Sequence, residues 1–278
     1  MEDWIISIGG RQMKSRIRIG ALISGTGTNL QAILKACDRG EIDGQVVFIG
    51  SDNPEAAGLQ MGRQAGIATI VVDYDAIERG FRADPDQMKI PPDFHIDDIR
   101  RKQHLFPPDA ERHRVVQFLT GRSIAEDQLL RQMQAHPFDL LVCAGFMRVL
   151  TPYFIDRVNI DPNRPRIMNI HPALLPAFPG VDGYADTFRY GCKIAGCTVH
   201  FIDYGEDTGP IISQRAFAIR DDDTLESVKK KGLALEWEVF PHCIQLFARG
   251  RLRLARRSFE LAGGVQFERT VVNILPAG

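Results

Sequence analysis

The segment 139–145 restricts the fold most, because residues 140–144 are apolar without any alternation. A strand that is apolar on both faces needs cover on both sides, as central strands of parallel sheets have. Around it, short apolar runs alternate with helical patterns. The predicted strands are 16–24, 45–50, 68–72, 166–170, 197–202 and 211–219, and the predicted helices are 54–64, 123–134, 152–158, 185–191 and 224–249. This alternation predicts an α/β protein with a mostly parallel sheet.

Composition narrows the classes of function. The net charge of −1, with no long run of like charge, gives no electrostatic footprint for nucleic acid or an anionic membrane. No run approaches the roughly 20 apolar residues that cross a bilayer, and the apolar stretch in residues 1–15 is too brief for a signal peptide. We therefore expect a soluble cytoplasmic protein, monomer or homodimer, that acts on small molecules.

Cysteine and histidine spacing gives no metal site. The five cysteines are scattered and odd in number, which suits reduced thiols, and Cys192 and Cys197 have no partners at a zinc spacing. His95, His104 and His113 lie among many Asp and Arg residues, where a solvated surface explains them better than a metal site. We expect no bound metal.

A glycine-rich loop, residues 24–30, joins the first strand to a helix. Such a loop lets backbone N–H groups approach an anion at a helix N-terminus, so it can hold a phosphate. Leu30 stands where the dinucleotide fingerprint has its third glycine, and no Gly-x-x-x-x-Gly-Lys occurs, so neither NAD nor an ATP-type loop is supported. A phosphate cradle and a simple turn both remain open.

A charged, proline-containing stretch interrupts the alternation between residues 73 and 119. Connections this long are unusual inside a compact domain. It is a functional lid, a small helical insertion or a mobile loop.

Asn169 and His171 are the candidate reaction centre. In an extended backbone they project to the same side, while Ile170 turns toward the core. An Asn amide can donate to the oxyanion of a tetrahedral intermediate, and a His can take the proton of an attacking amine. No Ser or Cys elbow is present, so direct transfer fits better than a covalent intermediate. A purely structural hydrogen-bonding role is the alternative.

Two further features flank this centre. Arg148 follows the carboxyl end of the central strand, where α/β sheets bind ligands, and a surface ion pair is a fair alternative. The loop 203–210 carries three carboxylates, and one of them placed against His171 would orient the imidazole. Solvated turn residues are the simpler interpretation of those acids.

Four motifs resemble the folate-dependent phosphoribosylglycinamide formyltransferases: the loop 24–30, the run 144–150, the stretch 169–180, and the strand 196–203 with Asp207-Thr208-Gly209-Pro210. The resemblance covers about residues 17–252. It implies the formyltransferase fold, a Rossmann-like, mostly parallel twisted sheet with helices on both faces. The implied organisation is an extension at 1–15, a formyltransferase domain at 16–252 with an insertion at about 79–119, and a tail at 253–278.

The resemblance also implies transfer of a formyl group from the co-substrate 10-formyltetrahydrofolate to the amine of glycinamide ribonucleotide in de novo purine biosynthesis. Asn169 would polarise the formyl oxygen, His171 would assist proton transfer, and Asp207 would position His171. The substrate contacts would be Gly27, Thr28, Asn29, Pro172 and Glu236. The folate contacts would be Arg122, Met147, Arg148, Val149, Leu150, Asn169, Asp203, Tyr204, Gly205 and Glu206.

The sequence departs from the family pattern in two places that bear on substrate fit. Residues 181–184 replace a run that usually contains histidine, and Leu233 stands where a polar contact is common. The alternatives are a formyltetrahydrofolate hydrolase, a formyltransferase for another amine, and a nucleotide-binding module without catalysis. An insertion ordered over the folate site would act as a lid.

Overall fold

The computed structural model describes residues 16–276, so the predicted extension at 1–15 and the last two residues of the tail lie outside it. The strands are β1 (Ile17–Ile23), β2 (Gly44–Ser51), β3 (Ala68–Val71), β4 (Leu140–Cys143), β5 (Ile167–His171), β6 (Ile194–Phe201), β7 (Ile211–Ala218), β8 (Leu252–Leu261) and β9 (Val265–Ile274). The helices are α1 (Thr28–Asp38), α2 (Ala57–Gln64), α3 (Tyr74–Ala83), α4 (Ile96–Lys102), α5 (Arg112–Met133), α6 (Pro152–Val158), α7 (Gly183–Arg189) and α8 (Leu225–Ala248).

Within residues 16–276, β1 to β7 form one sheet in the order β3-β2-β1-β4-β5-β6-β7. The strands from β3 to β5 run parallel, and β6 and β7 pair antiparallel to their neighbours. The chain order reverses at β1 and β4, which is where open α/β sheets bind ligands beyond the carboxyl ends of their strands. The predicted α/β sheet is therefore confirmed, with an antiparallel edge.

The central strand β4 is buried along its whole length, as its unbroken apolar sequence predicts. Its alternate side chains enter two different apolar layers. Leu140 and Val142 pack with α1 and α8 residues on one face of the sheet. Leu141 and Cys143 pack with α5 and α6 residues on the other. Helices cover both faces, and the carboxyl edge of the sheet is left for loops.

The stretch 73–119 contains helices joined by loops, as the interpretation of a small helical insertion predicts. It contains α3, a short 3-10 turn (Pro85–Gln87), α4 and the first half of α5. The prediction of a helix beginning at residue 123 was wrong, since α5 begins at Arg112. Ile99, Val115 and Leu119 form a small core with Tyr153 of α6, which attaches the insertion to the main body.

The C-terminal segment is a hairpin in which β8 and β9 pair over ten residues each. Only short β segments at 266–275 were predicted there, because the exposed outer half of the hairpin mixes polar and apolar residues and lacks a clear strand pattern. Gly263 and Gly264 have positive φ at its turn. Leu252, Leu254 and Val272 pack against the main core. The domain boundaries themselves stay predictions.

In the part of the chain that the structure describes, no helix is long and apolar enough to cross a membrane.

Candidate active site

An open cleft of about 770 Å³ lies beyond the carboxyl ends of β4 and β5. The segment after β4 forms one wall, and the end of β5 together with the loop after β6 forms the other. Its lining includes Met147, Arg148, Val149, Leu150, Asn169, His171, Pro172, Gly205, Glu206 and Asp207. Three separate stretches of the sequence therefore meet in one cavity.

Asn169 and His171 share a face of β5, as their spacing predicts, and β6 adds a third polar side chain beside them. Asn169 pairs across the sheet with His200, and its amide nitrogen lies 3.2 Å from His200 Nε2. His200 Nδ1 donates to the Phe201 carbonyl at 2.9 Å, because a carbonyl can only accept. In the neutral ring Nε2 then accepts from Asn169, and this contact fixes the orientation of the amide.

Asp207 joins this group from the loop after β6. Its Oδ2 lies 3.1 Å from His171 Nδ1 and accepts the Gly180 N–H at 2.8 Å, and its Oδ1 lies 3.5 Å from His200 Nε2. Asp207 has a φ of 53°, a left-handed conformation that is uncommon outside glycine. The predicted trio of Asn169, His171 and Asp207 is thus brought together.

Burial and hydrogen bonding act in opposite directions on His171. Burial lowers its pKa from the usual value and outweighs the Asp207 carboxylate and the Phe178 contact, which raise it. His171 Nε2 donates to the Phe178 carbonyl at 2.8 Å, and Nδ1 faces Asp207. The resting ring is neutral at neutral pH. When Nδ1 is protonated, the Asp207 carboxylate is already in position to accept a hydrogen bond from it.

Asp207 is ionised under the same conditions. Burial raises its pKa, but the imidazoles of His200 and His171 and the Gly180 N–H lower it more strongly. A neutral imidazole beside a fixed carboxylate is the arrangement of a general base whose imidazolium is stabilised as it forms.

His200 was missed by the sequence analysis. It is 1% exposed and contacts two members of the trio. A histidine inside the otherwise apolar end of β6 was the available signal, but its importance depends on the pairing register of β5 with β6.

The wall formed by residues 147–151 is held from behind at every second residue. The Met147 N–H donates to Ser24 Oγ at 2.8 Å, and the Val149 carbonyl accepts from Arg122 at 2.7 Å. The Thr151 N–H donates to Glu126 at 2.7 Å. This places the backbone of the segment under the control of side chains that lie outside the cleft.

Arg122 is one of those outside side chains rather than a lining residue. Its side chain is 6% exposed and pairs with Glu78 at 2.6 Å. The predicted folate contact through Arg122 therefore stays a prediction, and the structure gives this residue a position behind Val149. Arg148 does line the cleft, and it also pairs with Asp52 at 2.5 Å and Asp75 at 2.8 Å. The structure is therefore compatible with both a ligand contact and an ion pair at Arg148.

A second cluster lies between α1 and α8. The Asn29 amide donates to Glu236 Oε2 at 2.7 Å, and the Tyr184 hydroxyl donates to Glu236 Oε1 at the same distance. Burial raises the pKa of Glu236, and the two hydrogen bonds oppose that rise. Tyr184 belongs to the stretch that departs from the family pattern, and its ring occupies the space left by Gly232.

The glycine-rich loop ends in this cluster. Gly27 has a φ of 75° and precedes the first turn of α1, where no side chain within residues 16–276 caps the helix N-terminus. The loop packs closely on α2, since a Cβ at Gly27 would lie 2.9 Å from the Gly58 Cα. Among the described residues, the buried Asn29 Oδ1 has no hydrogen-bond partner. Free N–H groups and a buried acceptor suit a ligand that carries both an anion and donor groups.

The remaining predicted folate contacts divide between lining and supporting positions. Gly205 and Glu206 line the cleft, whereas Asp203 and Tyr204 do not. Asp203 accepts from the Gly205 N–H at 3.2 Å and from Thr208 Oγ1 at 2.6 Å, so it shapes the loop. The Tyr204 hydroxyl turns away to Asp156. Gly27, Thr28, Asn29 and Glu236 form the separate cluster, while Pro172 lies in the cleft itself.

Within the described chain, the lining residues of the cleft include none from the insertion, and the lid stays a prediction. Among residues 16–276, no group of three or more His, Cys, Asp or Glu side chains is arranged to hold a metal ion.

Comparison with known proteins agrees with this geometry. The family model described as formyl transferase matches residues 17–244. Phosphoribosylglycinamide formyltransferase of Haemophilus influenzae is 31% identical over 237 residues, which are 85% of this chain and 90% of that protein. The crystal structure of glycinamide ribonucleotide transformylase 1 from Symbiobacterium toebii has a TM-score of 0.66 and 35% identity, with 94% of each chain covered.

A much longer relative also matches. The trifunctional purine biosynthetic protein adenosine-3 of Drosophila melanogaster is 33% identical over 237 residues, which are 84% of this chain but 14% of that protein. The chain therefore spans only a small part of such a relative.

Proposed function

This chain belongs to the formyl transferase family, and we propose that it transfers a formyl group from 10-formyltetrahydrofolate to the amine of glycinamide ribonucleotide in purine biosynthesis. The observation that carries the proposal is the convergence of Asn169, His171 and Asp207 in a cleft whose opposite wall is the segment 147–150. The names of the relatives of similar length support the same activity.

The reaction begins when the lone pair of the substrate amine attacks the formyl carbon. Negative charge then develops on the formyl oxygen, where the second N–H of the Asn169 amide can donate, since His200 takes the first. Collapse of the tetrahedral intermediate breaks the bond between the formyl carbon and N10 of the folate. The amine loses one proton overall, and N10 gains one.

His171 and Asp207 handle that proton together. As the attacking amine becomes acidic, the neutral imidazole takes its proton at Nδ1. The Asp207 carboxylate stabilises the resulting imidazolium across the 3.1 Å contact. The proton is then available for N10 as the leaving group departs. Water is not needed as a nucleophile in this sequence, which separates it from hydrolysis.

The cleft suits the flat, hydrogen-bonding pterin of the folate. Its wall at residues 147–150 combines the apolar Met147, Val149 and Leu150 with the charged Arg148, and pockets for ring systems are lined in the same way by apolar side chains with a few polar groups. The segment is held rigid from behind by Ser24, Arg122 and Glu126, so little ordering entropy is lost on binding.

The second cluster suits the nucleotide. The uncapped N-terminus of α1 favours a phosphate group, and the carboxylate of Glu236 with the unpartnered Asn29 Oδ1 favours hydroxyl or amine donors. Pro172 lines the folate cleft, and its carbonyl approaches Gly183, the residue before Tyr184 of this cluster. We assign Gly27, Thr28, Asn29, Pro172 and Glu236 to the nucleotide.

The decisive experiment measures release of tetrahydrofolate with and without the amine substrate. We expect release only when glycinamide ribonucleotide and 10-formyltetrahydrofolate are both present. Equal release without the amine would identify a hydrolase and refute the transfer. Transfer to another amine but not to glycinamide ribonucleotide would refute the assigned acceptor.

The roles in the trio are tested by substitution. His171→Ala should lower kcat by about two to four orders of magnitude if the ring carries the proton. His113→Ala is the matched control, since His113 is exposed on α5 away from the cleft. Near-normal turnover of the His171 variant would remove it from the mechanism.

A further inference from the structure

The loop 203–207 is fastened from outside by the insertion, at a residue whose side chain does not reach the cleft. The Tyr204 carbonyl accepts the His104 N–H at 2.8 Å. The Tyr204 hydroxyl donates to Asp156 Oδ1 at 2.5 Å, and Lys102 donates to Asp156 Oδ2 at 2.8 Å. Lys102 and His104 belong to the insertion, and Asp156 belongs to α6.

The insertion end of this contact is itself well anchored. Gln103 Oε1 accepts the N–H groups of Leu105 and Phe106 at 2.8 and 2.9 Å, which fixes the turn after α4. Phe106 and Ile99 pack in the small core shared with α6. A rigid element thus contacts the loop, so the contact can restrain it.

The loop needs such a restraint for a specific reason. Asp207 holds a left-handed backbone conformation, which a non-glycine residue keeps only when its surroundings stabilise it. The contacts that Asp207 makes with His171 and Gly180 depend on that conformation. Inside the loop, Asp203 accepts hydrogen bonds from Gly205 and Thr208. Tyr204 is the residue through which the loop contacts the insertion.

We propose that the insertion is a brace for the active-site loop, and that Tyr204, Asp156 and Lys102 are positioning residues that hold Asp207 against His171. The proposal deepens the proposed formyl transfer and rests on it. Gly205 and Glu206 line the folate cleft from the same loop, so the brace governs the folate side of the reaction more than the nucleotide side.

The charges along the contact agree with this role. Burial, followed by the Asp156 contact, raises the pKa of Tyr204 to about 12, so the hydroxyl keeps its proton and donates at every physiological pH. Lys102 also pairs with Asp98 one turn earlier in α4, at 2.8 Å, and this pair orients the ammonium group toward Asp156.

The test uses Tyr204→Phe, Lys102→Met and the double variant in the full chain. Arg101→Met is the matched control, because Arg101 is the neighbour of Lys102, is 77% exposed and pairs only with Asp98 among the described residues. Hydrogen exchange of the amides at 204–208, measured without substrate, reports the loop directly. Steady-state kinetics report the KM for each substrate and kcat.

We expect each single variant to raise exchange in the loop by about fivefold, which corresponds to one lost hydrogen bond of about 1 kcal/mol. The KM for 10-formyltetrahydrofolate should rise by roughly three- to tenfold and kcat should fall, while the KM for glycinamide ribonucleotide changes less than twofold. The double variant should resemble the worse single variant, because both substitutions break one network. The Arg101 control should match the wild type in all three measurements.

Unchanged loop exchange and unchanged folate KM in both single variants would overturn the brace. Equal rises in the KM of both substrates would also overturn it, since that result describes a general structural loss. Lys102 is partly exposed, so its variant stays informative if the Tyr204 variant folds poorly. The two proposals fail separately. A wild type without formyl transfer refutes the proposed function, whereas hydrogen exchange of the amides at 204–208 still tests the brace.

Discussion

Gly232→Ala is expected to destabilise the protein, although alanine is the better helix former. A Cβ at this position of α8 would lie 2.1 Å from Tyr184 Cζ, 2.4 Å from its hydroxyl oxygen and 2.5 Å from Cε1. Contacts this short cannot exist, so the rigid ring must move. Tyr184 is 4% exposed and its hydroxyl is bonded to the buried Glu236, so movement breaks that bond.

The magnitudes of the opposing effects decide whether Gly232→Ala stabilises or destabilises the protein. Replacing a helical glycine by alanine gains about 1 kcal/mol. Overpacking costs about 1–3 kcal/mol, and loss of a hydrogen bond to a charged group costs about 1.5–3 kcal/mol. The net expectation is a loss of roughly 2–4 kcal/mol in the free energy of unfolding. Because Glu236 loses a partner, the KM for glycinamide ribonucleotide should rise by roughly fivefold or more.

Urea denaturation and substrate kinetics measure both effects. Tyr184→Phe isolates the hydroxyl, so it should show the kinetic change with the smaller loss of stability. Tyr184→Leu combined with Gly232→Ala should be more stable than Gly232→Ala alone, because a smaller side chain makes room for the new methyl group. A Gly232→Ala variant that is more stable than the wild type, with an unchanged KM, would refute this reasoning.

Three further predictions concern pH and the support of the cleft. The lowered pKa of His171 places the acid limb of the kcat/KM profile below the usual histidine value of 6.5, and a limb centred above pH 7 would contradict this assignment. Burial raises the pKa of Glu126 from 4.5 to about 8, so the unfolded chain ionises first and stability falls as pH rises through that window. Glu126→Gln should flatten this decline in urea midpoints, and an equal slope in both proteins would exclude Glu126 as its source. Arg122→Met leaves the Val149 carbonyl and Glu78 without their donor and should cost about 3–5 kcal/mol together with a raised folate KM, whereas the exposed Arg82→Met control should cost little.

Patterns that depend on neighbours in the chain were readable from the sequence. The unbroken apolar run of β4 predicted a central strand, and its burial on both faces followed. The spacing of Asn169 and His171 placed them on one face because side chains alternate along any strand. The resemblance added Asp207, which no local pattern distinguishes from its acidic neighbours.

Features that depend on contacts between residues far apart in the chain could not be predicted from the sequence. His200 meets Asn169 through the register of two antiparallel strands, 31 residues apart in the chain. Tyr184 and Gly232 fit together across a helix contact that neither sequence segment reveals. The first half of α5 was missed because it contains buried polar residues, among them Thr120 and Arg122, which hide the helical period.

Two sets of residues have different roles at the segment 147–151. Ser24, Arg122 and Glu126 fix its backbone from other elements, whereas Met147 and Val149 line the cleft. With folate bound in the cleft as proposed, substitutions at 147 and 149 are expected to alter which folate derivative is accepted without moving the backbone of the segment. Selection, or a designer of folate analogues, can change recognition here one side chain at a time.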